Sequence, residues 1–219
     1  MNQTDKATQI ACTQGCIQDL CLMNNLFLQC VMICFPELLE KVLQIFMRKH
    51  DLMVSMENGI QLLRHGSSRI LDVQAFDREG RQYRICLEYV SRINDTSSME
   101  RMTLGQVGWL RDRPGTQVRR YLIRITDNDL FGDGMSVYPV RDHAPDTEWS
   151  EWEILYVNGD YHGDYAIGCL MHDFHCSSPD DILLEEVWKA MCFFKQNPEG
   201  MWLAGFAIEG QLRLPEKVA

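Results

Sequence analysis

Two apolar-alternating runs joined by a charged, glycine-containing turn constrain this chain more than any other segment. They read Arg69-Ile-Leu-Asp72-Val-Gln-Ala-Phe-Asp77-Arg-Glu-Gly80-Arg-Gln-Tyr83-Arg-Ile-Cys86-Leu-Glu88-Tyr89. Alternation with a period of two on either side of such a turn is the pattern of a β-hairpin. A turn centred near Glu79 sets Asp72 opposite Cys86, because side chains on paired strands face each other in a fixed register. Glu88 then shares a face with Cys86 and lies diagonally from Asp72, roughly 7 Å away at the backbone. The hairpin is therefore expected to bring two carboxylates together on one sheet face.

The flanking sequence supplies the remaining elements. Residues Asp19 to Cys34 and Pro36 to Lys49 read as helices, the second with an apolar stripe of Leu38, Leu39, Val42, Leu43 and Phe46 and with Pro36 suited to a first helical position. Leu52 to Met56 reads as a short strand, Met99 to Leu110 as a helix weakened by Gly105 and Gly108, and Arg119 to Ile125 as an alternating strand. Ser178-Pro179-Asp180-Asp181 is a helix-start signal for a helix reaching Lys195, with Leu183, Leu184, Val187, Met191 and Phe194 as its buried stripe and Trp188 alongside. Trp149, Trp152 and Trp202 read as core or interface anchors. No repeat or low-complexity linker divides the chain.

Charge and cysteine usage narrow the function classes. With 219 residues, 46% of them hydrophobic, the chain can bury a full core without disulfide or metal staples. A net charge of −10 argues against tight generic nucleic-acid binding, which depends on Lys and Arg. Against that balance, Arg111, Arg113, Arg119, Arg120 and Arg124 cluster with one acid, Asp112, among them. They are the nominated phosphate contacts, with a solvated basic face or intramolecular ion pairing as the alternatives. The nine cysteines form no CxxC pair, and the first ten residues are polar, so the expectation is a cytoplasmic protein with reduced thiols packed as small hydrophobes. Cys12/Cys16 and Cys30/Cys34 are each spaced to share a helix face. The apolar stretch from Ile17 to Phe35 is interrupted by Gln18, Asp19, Asn24, Asn25 and Gln29, so no membrane span is expected.

Two further islands have ligand-like spacing. Asp127-Asn-Asp129-Leu-Phe-Gly132-Asp133 begins like a calcium loop, but Phe131 and Tyr138 stand where ligands are needed, so a tight turn is the alternative. Cys169, His172, His175 and Cys176 have zinc-like spacing, set against a capped, packed turn.

The hairpin, together with Ile125-Thr-Asp-Asn-Asp129-Leu-Phe-Gly132, Val137-Tyr138-Pro139, Ile154-Leu-Tyr156-Val-Asn158-Gly159, Gly168-Cys-Leu-Met-His172-Asp173-Phe174, Cys176 before Pro179-Asp180-Asp181, and Phe194-Lys195 with Glu199-Gly200, resembles the PD-(D/E)XK nuclease-family transposases, the recombination-promoting nuclease group, over residues 19 to 202. The resemblance implies a single α/β domain over residues 1–219: a restriction-endonuclease-like core over 19–125, with a mixed central sheet flanked by helices, and a C-terminal α/β extension over 126–219. It implies Mg²⁺- or Mn²⁺-dependent cleavage of DNA in a mobile-element context, with Asp72, Cys86 and Glu88 at the catalytic positions, Asp72 and Glu88 as metal ligands, and Glu40 as a further acid from a preceding helix.

The departures from that pattern fall on the chemistry. The family places Asp, Glu and Gln where this chain has Asp72, Cys86 and Glu88; it has a paired Asp where this chain has Asn24 and Asn25, and a basic run where only Arg101 remains. Clustered carboxylates hold a hard divalent ion that polarises the phosphate and activates water. A cysteine sulfur is a soft ligand and a poor substitute for Glu there. Glu88 is left either as a displaced metal ligand or as half of an ordinary polar pair. The expectation is a nuclease homologue with weakened or lost DNA cleavage; the alternative is an inactive pseudonuclease that serves as a protein-interaction scaffold.

Overall fold

Asp77 and Gly80 make the hairpin turn that the sequence calls for. In the computed structural model, which describes residues 17–55, 59–65, 68–90, 117–141, 152–163 and 165–208, Asp77 Oδ1 accepts the Glu79 and Arg81 amides, each at 3.0 Å. Gly80 has φ +78°, a left-handed conformation that glycine adopts without strain. The expected helix over 99–110, together with Arg101, Arg111, Arg113, Cys12, Cys16 and Trp149, lies outside the described residues.

Backbone contacts divide the chain into two units, residues 40–168 and residues 1–39 with 169–219. The first holds a seven-stranded mixed sheet built from β1 (Met53–Val54), β2 (Ile60–His65), β3 (Ser68–Phe76), β4 (Gln82–Val90), β5 (Val118–Thr126), β6 (Val137–Arg141) and β7 (Trp152–Asn158). The strand order is β1-β3-β4-β5-β7-β6, and β2 lies beside β1 on the same edge of β3. The pairs β4/β5 and β5/β7 are parallel; all the others are antiparallel. Thus β6 and β7, beyond residue 126, extend the same sheet as the hairpin.

The hairpin register is the expected one, with Asp72 facing Cys86. Strand β2 is an addition to the sequence reading: Ile60-Gln-Leu-Leu does not alternate, and it pairs along β3 from Ile60 with Val73 to His65 with Ser68. The central strands are buried on both faces, as the continuous burial of Tyr83 to Glu88 and Leu122 to Thr126 records. Parallel strands at the middle of a sheet read this way because both faces are covered. At the far edge, β6 carries Pro139, which has no amide to donate to a further strand.

Two of the helices start later than the sequence alone proposes, while the one at Pro36 starts where expected. The first, α1, runs Asn25–Cys34 rather than from Asp19, because Asn24 takes a β conformation and its Oδ1 accepts the Leu26 and Phe27 amides at 3.1 Å each. An Asn at this position satisfies amides that the first helical turn leaves unpaired. Helix α2 spans Pro36–Phe46, and its whole predicted stripe is buried. Then come α3 (Tyr165–His175), α4 (Glu185–Gln196) and α5 (Pro198–Ile208).

Ser178 caps a short 3-10 turn, Pro179–Asp181, and not the long helix, which begins at Glu185. The reason is the extended backbone at Ile182 and Leu184. Consequently Leu183 lies before the helix and is 62% exposed, while Val187, Met191 and Phe194 are buried as expected. Trp152 is core, whereas Trp202 is exposed and stacks on Phe206. No helix among the described residues is long and apolar enough to cross a membrane.

In the helical unit, Lys195 is buried and its ammonium donates to the Gln18 and Leu20 carbonyls at 2.6 and 2.5 Å, while Gln18 Nε2 returns a bond to the Lys195 carbonyl. Burial lowers its pKa to about 8. On α1, the buried Cys30 thiol donates to the Leu203 carbonyl at 3.9 Å, and the exposed Cys34 lies one helical turn away on the same face.

A candidate metal face closed by arginine

Two residues on either side of Cys86 on β4, Arg84 and Glu88 point to the same face, so both are diagonal neighbours of Asp72. The sequence reading weighed Glu88 and overlooked Arg84, although the spacing is the same on either side. Charge decides between them. Arg84 Nε and Nη2 donate to the two oxygens of Asp72 at 2.9 and 2.7 Å, the bidentate fork that a planar guanidinium makes with a carboxylate. Asp72 is 1% exposed.

Glu88 is closed from the other side. In the parallel pairing of β4 with β5, its direct neighbour is Arg124, whose Nε donates to Glu88 Oε1 at 2.5 Å. Arg124 is fully buried, and it also donates from Nη1 to the Tyr156 hydroxyl at 3.1 Å. Burial alone works against the Arg124 charge, but the Glu88 carboxylate and Tyr156 reverse that effect and hold its pKa above the ordinary value. A buried guanidinium tied to Glu88 is not presented to a phosphate, which corrects the expectation that Arg124 contacts nucleic acid. The intramolecular alternative is the one this residue takes. On the same strand, Arg119 is exposed and Arg120 half-buried beside Arg84.

Cys86 sits between the two ion pairs with its sulfur 4.0 Å from Asp72 Oδ1. It belongs to a buried cluster with Ile70, Leu122, Tyr138, Trp152, Ile154 and Tyr156. Burial, followed by the neighbouring Asp72 charge, pushes its thiol pKa well above normal. A thiol held protonated this way is a poor nucleophile. Glu40 does not join the set, because its Oε2 accepts the Val54 amide at 2.8 Å and so fixes α2 to the start of β1.

These residues do not fit Mg²⁺ or Mn²⁺. A hard divalent ion needs several oxygens in near-octahedral geometry. Here both Asp72 oxygens and one Glu88 oxygen already face guanidinium groups, and the position between them is sulfur. The face is arranged around two internal cations.

The other two islands resolve into structural devices. Asp129 accepts the Phe131, Gly132 and Gly134 amides and the Tyr138 hydroxyl, which leaves a stapled turn in place of a calcium loop. That hydroxyl bond, more than the amide bonds, lowers the Asp129 pKa. Among the zinc-spaced residues, His172, Asp173 and Cys176 bring ligand-type atoms within 4.8 Å of one another. The Cys176 sulfur is nearly equidistant from the two His172 ring nitrogens, at 3.7 and 3.9 Å, and donates to the His172 carbonyl at 3.3 Å. A sulfur placed so is off the in-plane lone-pair direction of either nitrogen. Buried Asp173 instead accepts the Leu183 and Leu184 amides at 2.8 Å each, which fastens the entry to α4. The packed-turn alternative describes this cluster.

No family profile, curated protein or solved structure matches the chain. What the residues themselves establish is a mixed α/β fold with a seven-stranded sheet and a sheet face whose acids are neutralised from within.

Proposed function

We propose that this chain is a divergent homologue of the nuclease-family transposases that has lost DNA cleavage and acts as a non-catalytic interaction module. The observation that carries this reading is the closure of both candidate ligands, Asp72 by Arg84 and Glu88 by Arg124. Metal-dependent phosphodiester hydrolysis needs carboxylate oxygens that face an ion and, through it, a phosphate and a water. Carboxylates already paired with buried guanidinium groups are counter-ions. Sulfur at Cys86 removes the oxygen that would have lain between them.

The acidic balance of the whole chain, −10, favours a protein partner over DNA. The test is nicking of supercoiled plasmid by the purified protein and its Asp72→Ala variant in Mg²⁺ and in Mn²⁺. The expected result is no activity above that of the variant in either metal. Nicking that requires the metal and disappears in the variant overturns the reading and makes Glu88 a working ligand. Tight, salt-sensitive DNA binding without nicking would keep the loss of cleavage and replace the protein partner with DNA.

A further inference from the structure

We infer that Cys34 and Cys30 form a peroxide-reactive dithiol on α1, in which the exposed Cys34 is oxidised and the buried Cys30 resolves it as a reversible intrahelical disulfide. The site lies in the helical unit and is independent of the loss of cleavage proposed above.

Spacing, exposure and thiol acidity divide the two roles. Cys30 and Cys34 stand four residues apart on one helical face, with their sulfurs close enough to hydrogen-bond. Cys34 is exposed, while the other free cysteines among the described residues are buried or half-buried. Burial pushes the Cys86, Cys176 and Cys192 thiols up. At Cys34, hydrogen bonding with Cys30 outweighs burial and lowers the pKa. Thiolate character and exposure, with a resolving cysteine beside them, are what make a thiol oxidise first. Cys30 is closed to solvent oxidants, and its bonding to Cys34, followed by burial, keeps it protonated for the second step.

The two steps balance with a hydroperoxide as the only oxidant. The Cys34 thiolate attacks a peroxide oxygen: an S–O bond forms, the O–O bond breaks, and the leaving oxygen takes the proton that Cys34 gave up. The Cys30 sulfur then attacks the Cys34 sulfenic sulfur. An S–S bond forms, the S–O bond breaks, and the hydroxyl departs with the Cys30 proton as water. The two electrons that reduce the peroxide come from the sulfur pair.

Helix geometry makes the bond reversible. Cα atoms four residues apart in a helix are about 6 Å from each other, inside the disulfide range. Their Cβ atoms are about 5–6 Å apart, wider than the roughly 4.5 Å that a relaxed disulfide allows. Closure therefore bends the last turn of α1, where Cys34 is the final residue and Phe35 is already non-helical. Exposed, strained disulfides are the ones that thiols reduce readily. Phe35 packs edge-on against Phe193 and Phe194 at 5.6 and 5.9 Å, so the same bend reaches α4.

The experiment treats the full chain, reduced beforehand, with equimolar hydrogen peroxide, with and without dimedone as a trap for sulfenic acid, and maps the products by tandem mass spectrometry. The unaltered protein is expected to give a Cys30–Cys34 disulfide, lighter by its two lost hydrogens, that dithiothreitol reverses. Cys30→Ala is expected to stop at the Cys34 sulfenic acid and yield its dimedone adduct. Without the Cys30 thiol beside it, Cys34 should also react several-fold more slowly with iodoacetamide at neutral pH. Cys34→Ser should leave Cys30 reduced under the same peroxide. The map of the unaltered protein decides the pairing even if Cys30→Ala fails to fold. A disulfide from Cys34 to any other cysteine, or peroxide that spares Cys34 while oxidising Cys21, Cys176 or Cys192, overturns the inference. So does a folded Cys30→Ala whose Cys34 reacts with iodoacetamide as fast as before.

Discussion

Buried carboxylates are satisfied in two different ways in this molecule. At the ends of elements, Asp77 and Asp173 collect backbone amides beside their side-chain partners: Asp77 those of Glu79 and Arg81 in the hairpin turn, together with the Arg81 guanidinium and Lys49, and Asp173 those of Leu183 and Leu184 before α4, together with His172. In the middle of the sheet, Asp72 and Glu88 have no chain end beside them, since strand amides are spent on the ladder, and each is met by a guanidinium from a neighbouring strand. The first kind is anchored by amides that local backbone geometry presents, whatever cations stand beside it. The second kind depends on which cation wins, and so it is where a catalytic site can be gained or lost without changing the fold.

The comparison predicts its largest effect at Glu88 and Arg124. Arg124→Met leaves a buried carboxylate without its cation and should lose about 3–5 kcal/mol of stability in urea denaturation. Adding Glu88→Gln should recover most of that loss, since the pair removed together leaves no unbalanced charge. Full destabilisation in the double variant would mean that Arg124 acts mainly through Tyr156. At Asp173 the two amide partners cannot be deleted, so Asp173→Ala should lose about 3 kcal/mol, a loss that removing its one ring partner by His172→Ala should not reproduce.

Lys195 provides a third contrast, as a buried cation whose hydrogen bonds among the described residues go to carbonyls. Its folded pKa of about 8 lies below the ordinary lysine value, so between pH 8 and roughly 10.4 the unfolded chain binds more protons than the folded one. Stability should therefore rise with pH across that window, and Lys195→Met should flatten the rise. A slope unchanged by Lys195→Met would place the titration elsewhere. The smallest effect is expected at Gly80. Its φ of +78° strains any residue with a Cβ, so Gly80→Ala should lower stability by about 1 kcal/mol without moving the Asp72–Cys86 register.

How much was legible in the sequence follows from the same distinction. The hairpin, its register and the α2 stripe follow from short-range alternation and turn chemistry, and the structure carries them as expected. Arg84 was equally legible, being as far before Cys86 as Glu88 is after it. The closure of Glu88 was not, because Arg124 lies 36 residues away and is brought in by a parallel pairing that no local pattern specifies. The late start of α4 was hidden for a related reason: Ser178 and Pro179 look like a helix start, but the amides before that helix answer to Asp173, from a different element.

The most direct measurement of the central claim is a double-mutant cycle on Asp72 and Arg84, using Asp72→Asn, Arg84→Gln and the pair, with stability read by urea denaturation in the presence of EDTA. If Arg84 is the resident cation of Asp72, the single variants lose much more than the double, with a coupling energy on the order of 2 kcal/mol or more. A coupling near zero, with Asp72→Asn stabilising the protein as removal of an unpaired ligand acid would, contradicts the account.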